Sequence, residues 1–327
     1  MELIIPIHII SGFLGSGKTT LLKKALDYYK ESGKKPAVIM NEIGDVNLDG
    51  LILGETVPME EMLSGCICCT IRGDLGMTIQ GLYQDHQPDV IFIESTGVAN
   101  PMEIMDGVTE ASLLMKIALK SIITLVDARH LLELSQKKSG KTFRLMRDQI
   151  RCANAIILNK MDQVSSGELQ GLESIIREWN VFAAIYPTVY SEIDIQLFDE
   201  LDDITWDRKQ DQLHETEHEP HNHEHMHDHN DKKHHHSHDH VMVYTHYFER
   251  AIQSEAFDQL IKELPKEVYR AKGIMEFKDK ESRFLFQYAY RQTELIKITP
   301  QGKVPNVAVF IGENFSKEAI KLALDKL

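Results

Sequence analysis

From Gly12 to Thr19 the chain reads Gly-Phe-Leu-Gly-Ser-Gly-Lys-Thr, the spacing of a phosphate loop. Gly12, Gly15 and Gly17 let the backbone fold so that its N–H groups, with that of Ser16, point inward at phosphate oxygens. Lys18 reaches the β- and γ-phosphates, and the Thr19 hydroxyl, followed by Thr20, is placed to ligate Mg²⁺. A second element, Val90-Ile91-Phe92-Ile93-Glu94-Ser95-Thr96-Gly97, is an apolar strand ending in an acid and then a glycine. Glu94 there can hold Mg²⁺ through water, and Gly97 can offer its N–H to a γ-phosphate. A third, Asn159-Lys160-Met161-Asp162, follows another apolar run. The Asp162 carboxylate can accept paired hydrogen bonds from guanine N1–H and N2–H₂, which adenine does not offer. GTP is therefore the expected nucleotide.

Cys66, Cys68 and Cys69 lie within four residues of one another. Thiolates suit soft or borderline ions such as Zn²⁺ or Cu(I). Three thiols leave a tetrahedral shell one ligand short, which suits a metal that is passed on; packed core cysteines and thiol redox chemistry are the other readings of the motif. Cys152, beside Ala153, reads as a small buried hydrophobe. Residues 211–240 hold 12 of the 16 histidines, with eight acids and two lysines. His221, His223, His225, His227 and His229 alternate and would share one side of an extended chain, able to bind Zn²⁺, Ni²⁺, Co²⁺ or Cu²⁺ loosely. The same tract also reads as a solvated linker. Glu42 and Asp45, in Asn41–Asp45 after an apolar run, sit where a switch loop would and could contact Mg²⁺ or the transferred metal.

These groups need rigid supports. Ile7–Ile10, Ala37–Met40, Val90–Ile93, Ile122–Val126 and Ala155–Leu158 read as buried strands, the first beginning after Pro6. Residues 19–31 and 167–180 read as helices. Continuous apolar strands alternating with helices predict a doubly wound, mostly parallel α/β sheet covered on both faces. Beyond the histidine tract, strands are expected at 241–252, 269–277, 284–290, 295–299 and 307–311. Helices are expected at 254–264, capped by Ser254, and from about Ser316. That is a smaller α+β domain. The expected division is 1–207, a linker at 208–240, and 241–327.

The chain has 327 residues, 43% of them hydrophobic and 26% charged, enough for two cores. A net charge of −14 argues against a general nucleic-acid binder. Its apolar runs fall far short of the ~18 residues of a membrane span, and no Lys or Arg precedes Lys18 to make a signal peptide. Crowded rather than spread cysteines fit a reducing, cytoplasmic setting.

Taken together, the motifs resemble the CobW family of P-loop GTPases, the metallochaperone group. GFLGSGKTT at 12–20, NEIGDV at 41–46, GCICC at 65–69, ESTG at 94–97 and NKMD at 159–162 stand in the family's order. Arg270-Ala271-Lys272-Gly273 looks like the entry to its C-terminal domain. The resemblance implies a GTPase that binds Zn²⁺, or Co²⁺ or Ni²⁺, and delivers it to a client metalloprotein. It carries nucleotide and Mg²⁺ roles onto Lys18, Thr19, Glu94, Asn159 and Asp162, and the metal role onto Cys66, Cys68 and Cys69. Met40 stands where some relatives have an acid. Family clients range over corrin cobalt insertion, nitrile hydratase activation and zinc delivery. The rival readings are a metal buffer whose GTP is structural, and an ATP-dependent kinase, which Asn159–Asp162 argues against. A homodimer is expected by analogy with P-loop GTPases that pair.

Overall fold

The computed structural model describes residues 3–40, 57–61, 70–202, 241–289 and 291–327. Glu42, Asp45, Cys66, Cys68, Cys69 and the histidine tract, for which nucleotide or metal roles are expected, lie outside these residues.

The first part alternates strand and helix: β1 (Ile5–Gly12), α1 (Lys18–Glu31), β2 (Pro36–Met40), β3 (Met59–Glu61), α2 (Thr70–His86), β4 (Val90–Glu94), α3 (Pro101–Ala111), β5 (Ile117–Asp127), α4 (Ala128–Lys137), α5 (Lys141–Arg151), β6 (Ala155–Asn159), α6 (Ser166–Trp179), β7 (Ala184–Pro187) and α7 (Leu197–Asp202). Seven strands pair in the order β3-β2-β4-β1-β5-β6-β7, every pair parallel. The all-buried strands β2, β4 and β6 explain the parallel arrangement, because both faces of the sheet must be covered. On one face Leu21, Leu22, Ala25 and Leu26 of α1 pack with Phe198 of α7. On the other, Leu75 and Ile79 of α2 and Ile104 and Val108 of α3 cover Ile7, Ile9, Ile91 and Ile93. The α4–α6 helices close over β6 through Leu131, Ile150, Leu172 and Ile176.

In this part three details differ from expectation, one of them β5, which begins at Ile117 rather than Ile122. β1 begins at Ile5 and includes Pro6, not after it. Ile5 donates its N–H toward the β5 side, so the nitrogen of Pro6 faces the β4 side, where pairing starts only at Ile7. The proline therefore removes no ladder bond. Short strands β3 and β7, absent from the expectation, extend the two edges.

The second part contains β8 (Val241–Tyr247), α8 (Ser254–Lys262), β9 (Val268–Glu276), β10 (Arg283–Ala289), β11 (Gln292–Ile298), β12 (Val307–Glu313) and α9 (Lys317–Leu324). Its five strands form an antiparallel sheet in the order β11-β10-β9-β12-β8. β12 shows how the sheet faces two ways. Ala308 and Phe310 pack with Phe257, Ile261 and Ile320 beneath α8 and α9. Val307, Val309 and Ile311 join the first sheet's core beside Ile117 and Leu119. β8 stops at Tyr247, five residues short of the expected end, because its partner β12 begins at Val307 opposite Tyr247. Ser254 is the first residue of α8, not its cap. Gln253 precedes it without a capping bond, and Ser254 is instead engaged through N–H and Oγ by Asp279.

Candidate functional site

The carboxyl ends of β1, β4, β5 and β6 converge, and the loops that leave them carry the polar groups. Loops at this edge are where α/β sheets bind ligands. Gly12, Gly15 and Gly17 have φ of 135°, 74° and 109°, the left-handed region that favours glycine. A Cβ on Gly12 would lie 2.3 Å from the Leu125 carbonyl, and one on Gly17 2.5 Å from Asn159 Nδ2. Above Gly15 there is open space. The loop is thus pressed onto β5 and β6 on one side and open on the other, the shape of a phosphate cradle. Ser16 donates its N–H to the Phe13 carbonyl at 3.2 Å. Lys18 is buried, and its Nζ donates to the same carbonyl at 3.4 Å, so the ammonium is held over the loop.

Thr19, on the first turn of α1, donates from Oγ1 to Glu94 Oε1 at 3.1 Å. A hydroxyl and a carboxylate from separate elements meet beside the cradle, an all-oxygen donor pair of the kind a hard dication takes. Ser16 Oγ is buried and, among the described residues, makes no hydrogen bond, so it too can face a ligand. These residues fit Mg²⁺ and a nucleotide phosphate chain. Thr20 is exposed on α1. Gly97 approaches so closely that its Cβ would stand 2.5 Å from Leu14 N. The loop after β4 therefore lies against the phosphate loop.

Asn159 ends β6 and is buried. Its Nδ2 donates to the Ser16 carbonyl at 2.9 Å and to Ser191 Oγ at 3.1 Å. Its Oδ1 accepts from Ser191 N at 2.9 Å and Thr188 Oγ1 at 3.2 Å. One side chain thus pins the phosphate loop to the loop after β7. Lys160 follows with φ of 60° and pairs with Asp127 Oδ2 at 2.6 Å. Asp162 is exposed on a single turn of 3₁₀-helix, Met161–Gln163, whose Met161 N–H donates to the Thr188 carbonyl.

The sequence reading missed four contributors. Asp127 both caps α4 by accepting from His130 N and holds Lys160. Thr188 and Ser191 complete the Asn159 network, and left-handed backbone at Tyr190 and Ser191 marks a constrained turn there. Gln149, fully buried on α5, donates from Nε2 to the carbonyls of Gly97 at 3.2 Å and Ala99 at 3.4 Å, fixing the loop between β4 and α3. The local signals, an acid at a strand end and a turn after a strand, were present for Asp127 and Ser191. Nothing local marks Gln149. Cys152 is buried, as expected, and burial pushes its thiol up to about 12, so it is an inert packing group. Among the described residues no cluster of three His, Cys, Asp or Glu side chains could hold a metal. No helix among them is long and apolar enough to cross a membrane.

Residues 6–187 match the CobW/HypB/UreG nucleotide-binding domain, and residues 242–327 match the cobalamin synthesis protein CobW C-terminal domain. The zinc-regulated GTPase metalloprotein activator 1 of Dictyostelium discoideum is 31% identical over 229 residues, covering 59% of this chain and 47% of that protein. The zinc chaperone YeiR of Escherichia coli is 32% identical over 186 residues, covering 57% and 54%. These matches span about half the length of either relative. The zinc chaperone YjiA of Escherichia coli is 28% identical over 328 residues, covering 98% of this chain and 97% of YjiA. The crystal structure of Zn(II)-bound YjiA GTPase aligns over 99% of both chains at 22% identity with a TM-score of 0.47.

Proposed function

This chain belongs to the CobW/HypB/UreG family of P-loop GTPases, and on that premise we propose that it hydrolyses GTP to control the binding and hand-over of Zn²⁺ to a client metalloprotein. In this reading Cys66, Cys68 and Cys69 take the cargo and Glu42 completes or gates the site. Gly12, Gly15, Ser16, Gly17, Lys18, Thr19 and Thr20 take the phosphates. Asn159, Lys160 and Asp162 serve the guanine end. Bound Mg²⁺, held by Thr19 and Glu94, would neutralise charge that develops on the β- and γ-phosphates.

The observation that carries this reading is the packing of α2 on α3. α2 begins at Thr70, the residue after Cys69. Its Leu75 sits so close to Gly107 of α3 that a Cβ there would stand 2.8 Å from Leu75 Cδ2. α3 follows the Gly97 loop, capped by Asn100, which accepts from Met102 N at 3.0 Å. The loop expected to sense the γ-phosphate and the helix that follows the cysteine motif in sequence are thus joined through one tight helix pair. A change in nucleotide that moves Gly97 has a packed route to α2, the helix that begins at the residue after Cys69. By linkage, metal that prefers one nucleotide state must favour that state in return.

Lys18 balances the charge that builds on the leaving diphosphate as the bond to the γ-phosphorus breaks, and Gln149 holds the Gly97 loop in register with Leu14. Gln149, the glutamine at the Gly97 loop, commits its amide N–H groups to the Gly97 and Ala99 carbonyls, so unassisted turnover should be slow.

The relatives' names favour zinc over cobalt or nickel. The test is zinc affinity by competition with a chelating dye in the wild type and in a Cys66→Ser/Cys68→Ser/Cys69→Ser variant. About one tight Zn²⁺ per chain, lost in the variant, is expected, because hydroxyls stay protonated near neutral pH and are poor zinc ligands. Tight binding retained by the triple variant refutes the assignment.

A further inference from the structure

Gln149 stands on the last turn of α5 with its side chain fully buried, beside the core residues Met146 and Ile150. Its backbone has a fixed base. The Gln149 carbonyl accepts from the Thr124 hydroxyl of β5 at 2.9 Å, and the Ile150 carbonyl accepts from Asn180 Nδ2 at 2.8 Å. The carboxamide NH₂ carries two hydrogens and meets two carbonyls, Gly97 at 3.2 Å and Ala99 at 3.4 Å. Two peptide planes of the loop after β4 are thus set by one side chain. Val98, between them, is 63% exposed, so hydrogen bonds rather than burial of that side chain hold the loop there. Against its other side lies the phosphate loop, with Leu14 pressed on Gly97.

The remaining atom of the amide is informative. Gln149 Oε1 is buried and, among the described residues, makes no hydrogen bond. The same holds for Ser95 Oγ, at the start of the loop, and for Ser11 Oγ, opposite Thr124 in the β1–β5 register. A buried polar atom without a partner costs stability. A methionine at 149, of similar length, would escape that cost. Packing alone therefore disfavours the amide, and its two donations to the loop are what it contributes.

We propose that Gln149 is a positioning residue for the γ-phosphate. By fixing the Gly97 carbonyl it aims the loop at the third phosphate, and so sets how strongly the protein prefers GTP to GDP. It acts through the loop and not by contact with the nucleotide. GDP, whose two phosphates rest on the Gly12–Thr19 loop, is indifferent to it. The proposal rests on Gly97 as the γ-phosphate contact and is independent of the zinc assignment.

The test is equilibrium binding of GDP and of a non-hydrolysable GTP analogue, each with Mg²⁺, to the full chain in the wild type, Gln149→Met, Gln149→Glu and Gly97→Ala. In Gln149→Met the preference for the analogue over GDP should fall about tenfold, with GDP affinity unchanged. Gln149→Glu adds a pH profile. Its neutral carboxyl has one O–H and can serve one of the two carbonyls, whereas its carboxylate repels both. A carboxyl buried there titrates above the ordinary range, so this variant should lose analogue preference, relative to the wild type, between about pH 7 and 9. Gly97→Ala, whose Cβ would meet Leu14 N at 2.5 Å, reports on the loop itself. If Gly97→Ala lowers the preference and Gln149→Met does not, the proposal falls and the role of Gly97 stands. If neither variant changes it, the role of Gly97 falls and takes the proposal with it. Equal loss of GDP and analogue affinity in Gln149→Met would mark a merely structural side chain and also overturn the proposal. Should Gln149→Met fail to fold, the Gln149→Glu profile decides, and a profile parallel to the wild type refutes the assignment.

Discussion

Strands β2, β4 and β6 of the first sheet are buried at every position, whereas β12 of the second sends alternate residues to opposite cores. Where both faces of a parallel sheet are apolar, polar chemistry is driven to the strand ends, and Glu94, Asp127 and Asn159 all stand there. The antiparallel sheet carries charge on its face instead. Arg270 and Lys272, two positions apart on β9, meet Asp106 at 3.1 Å and Glu110 at 3.6 Å on α3. One sheet builds a site at its edge, and the other grips a helix of the first with its surface. Substitutions at the two places should therefore fail differently.

The largest effect belongs to the strand-end network. Asn159→Ala strips partners from the Ser16 carbonyl, Ser191 N and Thr188 Oγ1, all tied to a buried side chain. Unmet buried polar groups cost about 1–3 kcal/mol each, so both unfolding free energy and GTP affinity should fall, the latter by well over tenfold. Chemical denaturation and equilibrium GTP binding on one preparation check this. Loss of GTP affinity with unchanged stability would show that the two loops are held some other way.

Asp162→Asn separates binding from stability at the same edge. The side chain is exposed, so folding should be unaffected, while guanine loses a charge-assisted acceptor worth about 1.5–3 kcal/mol. A wild type that binds ATP and GTP equally well would remove the basis for this role.

At the domain contact the probe is Lys272. Burial, partly offset by Glu110, depresses its ammonium to about 8. The folded chain thus binds fewer protons at this site than the unfolded chain between that value and the ordinary lysine range. Stability should rise as pH climbs from about 8 towards 10.5 and fall as pH drops back through 8. Lys272→Met should flatten that rise and, at neutral pH, stabilise by on the order of 1–3 kcal/mol, leaving GTP affinity alone. Melting temperatures of wild type and variant across pH 7–10 (roughly the linkage window) would show parallel curves if the lysine contributed nothing.

The smallest effect is expected from deleting 214–240 behind a flexible replacement. That tract has almost no apolar side chains, so melting and GTP turnover should hold within about 0.5 kcal/mol, with fewer weakly bound metals. Cooperative loss of fold would make it structural.

What could be read in the sequence follows the same division. The phosphate loop, Glu94 and Asn159–Asp162 are legible because a run of neighbouring residues does one job at the end of an apolar strand. Gln149 was illegible because its partners, Gly97 and Ala99, lie some 50 positions away and its own helix gives no sign of them. Asp279 likewise reaches Ser254 from 25 positions on, which is why a capping serine was expected where none is. β3 and β7 have three and four residues, too short for periodicity to register, and exist because longer neighbours offer an edge. The Lys272–Glu110 contact joins elements that pattern alone does not bring together.

In the proposed function, nucleotide state sets metal affinity through the α2–α3 pair. The direct measurement is zinc affinity of the full chain with GDP and with a non-hydrolysable GTP analogue, repeated in Gly107→Val. In the wild type the two affinities should differ about tenfold or more, a coupling of ~1.4 kcal/mol. In the variant, where the added side chain would drive into Leu75, that ratio should shrink. Equal zinc affinities in the two nucleotide states of the wild type would rule out nucleotide-gated transfer and leave a metal buffer in its place.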